Sequence, residues 1–145
     1  MFSVINTRNF ECLFRVRCLY VTLQVHTPHI VIVDDDDSVR SVLVEMARAA
    51  VPSADVSSHV SALHALQEIH SSGVDLLITN CHMPDMDGAT LVKTLREEKD
   101  AIPVIMVSGS DDARAIAEEL GVDCFVPKYA IHSTLTGAIQ SFIEA

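Results

Sequence analysis

From residue 28 onward the chain alternates short apolar runs with stretches of helical periodicity, and it does so five times. Ile30 to Val33 is an unbroken apolar run, after which Val39, Val42, Leu43, Met46 and Ala50 recur at helical spacing until Pro52 stops them. Asp55 to Ser58 reads as a weak second strand, followed by a helix carrying Leu63, Leu66 and Ile69 up to Gly73. Asp75 to Asn80 is the third strand. The Pro-Asp and Asp-Gly steps behind it mark a loop before a helix bearing Leu91, Val92 and Leu95. A fourth pair runs from Pro103 to Ser108 and from Asp112 to Leu120, ended by Gly121. The fifth is Cys124 to Pro127, then Ile131, Leu135, Ala138, Ile139 and Phe142. Strands that are apolar almost throughout, each followed by a helix, predict an α/β fold with a parallel sheet covered on both faces.

Composition narrows the function classes. At 145 residues, 49% of them hydrophobic, the chain can bury one proper core, so one domain is expected over residues 28–145. A formal net charge of −10 argues against nonspecific binding to nucleic acid or an anionic membrane, since both need a basic face. Cys12, Cys18, Cys81 and Cys124 form no C-x-x-C pair and no dense framework, which suits a reducing cytosol. No apolar run approaches the roughly eighteen residues of a membrane span, so a cytoplasmic protein is expected.

Residues 1–27 fall outside the alternation. Phe14, Val16, Cys18 and Tyr20 alternate against Arg15 and Arg17, and Val21, Leu23 and Val25 continue on the opposite phase. The segment reads either as an extra edge strand or dimerisation arm, or as a poorly ordered extension; no feature decides between them.

In a doubly wound sheet the carboxyl ends of the strands converge on one crevice, so Asp34, Asp35, Asn80, Ser108 and Lys128 are expected to meet there. Hard cations such as Mg²⁺ take oxygen ligands and keep several waters, which the Asp34-Asp35 pair at a strand end suits. Acidic residues also favour a helix N-terminus, and Asp36 and Asp37 are read that way. Isolated Cys81 and His82 side chains, with no partner at ligand spacing, are read as packing or loop residues.

Together, Val31-Ile32-Val33-Asp34-Asp35, Leu76-Leu77-Ile78-Thr79-Asn80, Met83-Pro84-Asp85-Met86-Asp87-Gly88, Ser108 and Lys128 resemble the receiver domain of two-component response regulators. The resemblance covers residues 28–145. It implies a flavodoxin-like five-stranded sheet of order 2-1-3-4-5. It implies Mg²⁺ held by Asp35 directly, by Asp34 through water and by the backbone carbonyl of His82. Ser108 and Lys128 then match the phosphoryl-binding hydroxyl and lysine, and Phe125 the aromatic switch. Expected partners are a histidine kinase or phosphotransfer protein and a downstream target protein, with a homodimer as a further arrangement.

Two residues depart from the family. Asn80 stands where the phosphoacceptor aspartate is expected, and a neutral carboxamide is a poor nucleophile that brings two N–H donors instead. Tyr129 replaces the proline that usually follows the lysine, which removes the usual reason for a cis peptide there. The expected product is a pseudo-receiver, or a non-phosphorylatable variant of an ordinary one. It would not be an enzyme, would act through protein contacts on the fourth helix, fifth strand and fifth helix, and would bind Mg²⁺ weakly. An enzymatic alternative is a haloacid-dehalogenase-like phosphatase using Asp34 and Asp36, because Asp34-Asp35-Asp36-Asp37-Ser38 resembles its D-x-D-x-T/S opening. That family needs an acidic motif after the lysine, and beyond Lys128 only Glu144 is present.

Overall fold

The computed structural model describes residues 25–144. The two readings of the N-terminal segment therefore lie outside the described residues, apart from Val25 to Thr27. The described residues form five strands and five α-helices in strict alternation. These are β1 (His29–Val33), α1 (Asp37–Ala50), β2 (Asp55–His59), α2 (Ala62–Ser71), β3 (Leu76–Thr79), α3 (Gly88–Glu97), β4 (Val104–Ser108), α4 (Ala113–Glu119), β5 (Cys124–Pro127) and α5 (Ile131–Ile143), with a short 3₁₀ turn, Lys128–Ala130, between the last two. All strand pairs are parallel, and the order is β2-β1-β3-β4-β5, the flavodoxin-like arrangement expected.

The apolar runs are continuous because the central strands are buried on both faces. Ile30, Ile32, Leu76, Ile78, Ile105 and Val107 pack on one side against Leu43 and Ala47 of α1 and Leu135 and Ile139 of α5. Their alternate neighbours Val31, Val33, Leu77, Val104 and Met106 pack on the other side against α2, α3 and α4. β2 is an edge strand, and its half-exposed Asp55-Val56-Ser57-Ser58-His59 sequence matches that position.

On α2 the periodicity misplaces one residue. Leu63, which the periodicity sets beside Leu66 and Ile69, is half exposed, because Ala62, Ala65, Leu66 and Ile69 already fill the stripe against the sheet. A leucine at position 63 falls off the edge of that stripe.

Helix ends follow local chemistry. Asp36 caps α1, its carboxylate accepting from the backbone N–H of Ser38 at 2.8 Å and of Val39 at 3.1 Å. Asp87 caps α3 by accepting from Thr90 N–H at 2.7 Å. Gly121, at φ 66°, ends α4 in the left-handed region that glycine enters without strain.

Candidate functional site at the carboxyl edge of the sheet

Asp34 follows β1, Asn80 follows β3, Ser108 closes β4 and Lys128 follows β5, so the parallel sheet brings all four to one edge. The backbone binds the floor of this crevice directly: Asn80 N–H donates to the Val33 carbonyl at 2.9 Å. Asn80 itself is 7% exposed.

Every polar atom of the Asn80 side chain has a partner. Nδ2 donates to the His82 carbonyl at 3.0 Å and to Asp35 Oδ1 at 3.3 Å, while Oδ1 accepts from Cys81 N–H at 2.9 Å. These contacts fix which way the amide points, since turning it over would set oxygen against two oxygens and N–H against N–H. Asp35, the His82 carbonyl and Asn80 thus meet at the carboxyl edge of the sheet.

Asp34 is fully buried. Its Oδ1 accepts from Asp36 N–H at 2.8 Å. Oδ2 has no hydrogen-bond partner, and Lys128 Nζ stands 3.4 Å from it without hydrogen-bond alignment. Burial pushes the Asp34 carboxyl above the usual carboxylate range; the Asp36 N–H and the Lys128 charge work against that rise, and Asp35 adds to it.

Ser108 and Phe125 stand beside this pair of contacts rather than within it. Ser108 Oγ lies 3.1 Å from Ser110 Oγ and accepts from Ser110 N–H at 3.3 Å. Both Ser108 and Phe125 line a neighbouring cleft of about 160 Å³ together with Arg114 and Tyr129. The Arg114 guanidinium lies 4.7 Å over the Phe125 ring, a cation–π distance, and Tyr129 is almost fully exposed. The turn through Lys128 and Tyr129 contains no cis peptide.

Sequence reasoning missed three contributions. Gly88 is required by space: a Cβ there would lie 1.7 Å from the Asn80 carbonyl oxygen, and Gly88 N–H donates to the Cys81 carbonyl at 2.8 Å. The Asp-Gly step was read only as a loop signal, and no local rule reports how close β3 comes. Thr79, buried beside it, donates to the same Asn80 carbonyl at 2.9 Å. The His82 ring meets Asp112 at 3.0 Å, linking the loops after β3 and β4. Cys81 is buried and burial raises its thiol pKa, as suits a packing residue.

The structure places the aspartates of the phosphatase alternative at the end of β1 and the start of α1. Asp36 Oδ1 caps α1, and the backbone N–H bonds of Val39 and Ser38 lower the Asp36 pKa, which does not favour the proton-donating role that this alternative would give it.

A doubly wound five-stranded sheet with acidic residues and a lysine at its carboxyl edge is the architecture of a signalling receiver, and comparison with known proteins agrees. The chain belongs to the response regulator receiver domain family, whose profile matches residues 30–140. It is 32% identical over 118 residues to the protein named "Probable transcriptional regulator ycf27" of Cyanidium caldarium, covering 80% of this chain and 46% of that one. It is 35% identical over 107 residues to the DNA-binding transcriptional regulator NtrC of Proteus hauseri, covering 72% of this chain and 22% of that one. The chain thus spans less than half the length of these two relatives. Among solved structures, a response regulator receiver protein from Pseudomonas putida superposes with a TM-score of 0.72 at 25% identity, covering 81% of this chain and 98% of that one. Receiver domains of this family work in two-component signalling. Among the described residues no helix is long and apolar enough to cross a membrane.

Proposed function

We propose that this chain is a receiver module that signals through protein contacts without being phosphorylated at position 80. One observation carries the reading: the Asn80 amide is neutral, its two N–H donors go to Asp35 and His82, and its oxygen accepts from Cys81. Attack on phosphorus needs an anionic oxygen at the end of β3, and the amide offers none. Residues 28–145 form the receiver unit in this reading, with residues 1–27 as an extension.

The same contacts bear on Mg²⁺. Receiver domains bind that ion at an acidic pocket, where it would neutralise phosphoryl oxygens. Asp34, Asp35 and the His82 carbonyl are the oxygen donors that would hold it here, and Asp34 Oδ2, which faces Lys128 but accepts no hydrogen bond, fits such a role. Asn80, however, directs N–H donors at two of those three groups. A cation would have to displace the amide from both, so the proposal includes weakened Mg²⁺ affinity.

A histidine kinase or phosphotransfer protein would dock without delivering a phosphoryl group, and a downstream protein would read the surface of α4, β5 and α5. Phe125 under Arg114, with exposed Tyr129 beside them, supplies aromatic and cationic contact groups on that surface. Ser108 and Lys128 hold the places of the phosphoryl-binding pair. The chain is then a binding module and not an enzyme.

Incubation with Mg²⁺ and a small phosphodonor, followed by intact mass measurement, tests this. The chain as written should gain no adduct, while Asn80→Asp should gain one acid-labile phosphoryl group. Stoichiometric phosphorylation of the unaltered chain would sink the proposal.

A further inference from the structure

The outer side of β2 offers a pairing site. Asp55 N–H donates to the Pro28 carbonyl at 2.8 Å and Asp34 N–H to the His59 carbonyl at 3.2 Å, so Asp55 and His59 turn their peptide groups toward β1. Peptide groups alternate sides along a strand, which turns those of Val56 and Ser58 outward. Among the described residues no strand pairs with that side. A groove of about 330 Å³ runs along it, lined by Arg40, Ser41, Val44, Glu45 and Arg48 of α1 and by Ser58. An open edge carrying neither proline nor lysine invites pairing with another segment.

The two flanks of this edge differ in chemistry. Val56 and Ser58 face the α1 side, where Val44 supplies apolar surface and Arg40 and Arg48 supply positive charge. Ser57 faces the α2 side, where it donates to Glu68 at 2.9 Å, and alternation sets exposed Asp55 there too. Glu68 stands 3.1 Å from His29 on the same flank. That flank therefore carries two carboxylates.

We infer that residues 13–19, which precede the described residues, pair with β2 as a sixth, antiparallel strand. Phe14, Val16 and Cys18 alternate there with Arg15 and Arg17. With the apolar face over Val44 and the groove, the two arginines fall on the flank of Asp55 and Glu68 and away from Arg40 and Arg48. The reverse placement would set arginines against arginines. Charge also favours this segment over the body of a second copy: the chain has a formal net charge of −10, whereas residues 1–27 hold Arg8, Arg15 and Arg17 against Glu11 alone.

The chain can reach this edge. His26 pairs with Asp75 at 2.8 Å and Pro28 meets Asp55, so the chain enters β1 at the amino edge of the sheet. A strand joined there by a short link runs antiparallel to β2, since a parallel one needs a crossover of about a dozen residues or more. From its place to β1 is two strand spacings, about 10 Å, which residues 20–25 span when extended. β5, the other edge, lies farther from β1 and ends in Pro127, which has no N–H to offer. The added strand closes β2 to other chains and is independent of the Asn80 reading.

Amide exchange and NOE contacts in the full chain test it. In the unaltered chain the Val56 and Ser58 amides should exchange at least about tenfold slower than unstructured amides, and NOEs should join residues 13–19 to β2. In the double variant Val16→Pro/Arg17→Pro, one proline removes an N–H aimed at β2 whichever the register, so this protection should be lost while Ser57 and α5 keep theirs. The inference is overturned by unprotected Val56 and Ser58 amides in the unaltered chain, by the lack of NOEs to residues 13–19, or by protection that survives the double substitution. Mixing labelled and unlabelled chains adds a further check, and NOEs that prove to run between two copies overturn it as well.

Discussion

Asn80 Nδ2 donates to Asp35 Oδ1 across 3.3 Å, so an amide hydrogen sits where an aspartate at position 80 would set two carboxylates against each other. Like charges about 4 Å apart repel by roughly 4 kcal/mol at an effective dielectric near 20, before relaxation and partial protonation reduce it. Without metal, Asn80→Asp should therefore be less stable than the chain as written, by about 1 kcal/mol after that relaxation. Mg²⁺ should stabilise the variant more, narrowing or reversing the ranking. Urea denaturation of both proteins with EDTA and with Mg²⁺ measures this, and equal stabilisation by Mg²⁺ would remove Asn80 from the cation pocket.

Asp34 should make stability fall as pH rises. Its folded pKa is raised above the ordinary 3.8, so between those two values the folded state holds more of the proton than the unfolded state. Stability is lost across that window and stays lost at neutral pH. Asp34→Asn should accordingly be more stable than the parent at about pH 7, by about 1 kcal/mol, with the gap closing in acid below the ordinary carboxylate range. A stability difference unchanged from neutral pH into acid would assign the effect to something other than ionisation.

Lys128→Met should act in the opposite sense, since Lys128 is the cation beside the buried Asp34 oxygen that lacks a hydrogen bond. A loss of about 2 kcal/mol at neutral pH is expected, with most of it recovered in the double variant carrying Asp34→Asn. A double-mutant cycle with no coupling would show that the two charges do not interact.

Gly88→Ala should be among the most damaging small substitutions in the chain. The added methyl would meet the Asn80 backbone oxygen at 1.7 Å, and neither α3 nor β3 can yield that much without repacking Leu91 and Val92. A loss of about 3 kcal/mol, read from the denaturation midpoint, is expected. Near-neutral behaviour would mean that the β3–α3 connection is more compliant than its packing implies.

Asp36→Ala should weaken the start of α1 without touching the crevice chemistry. The Val39 and Ser38 N–H bonds lower the Asp36 pKa, so this contribution is present above the unfolded value and disappears as pH falls through the folded one. The variant should melt below the parent at neutral pH and converge with it in acid. A melting difference that persists at low pH would argue that the carboxylate is not the cap.

Features set by neighbours in sequence were legible in advance. The alternation of apolar runs and helical periods requires only that backbone hydrogen bonds be satisfied and apolar faces covered, so five strand–helix units could be read directly. The Asp36 cap was legible for the same reason, because it joins residues two and three apart. The sheet order 2-1-3-4-5 and the expected roles of Ser108, Lys128 and Phe125 came from resemblance, since periodicity says nothing about which strands are neighbours. The exposure of Leu63, the need for glycine at 88, the direction of the Asn80 amide and the meeting of His29 with Glu68 were decided by the tertiary structure alone. Each depends on groups brought within a few ångströms by the packing of separate elements, and a chain read one window at a time holds no record of that distance. The sequence determined which chemical groups were available, and the packing determined which of them face one another.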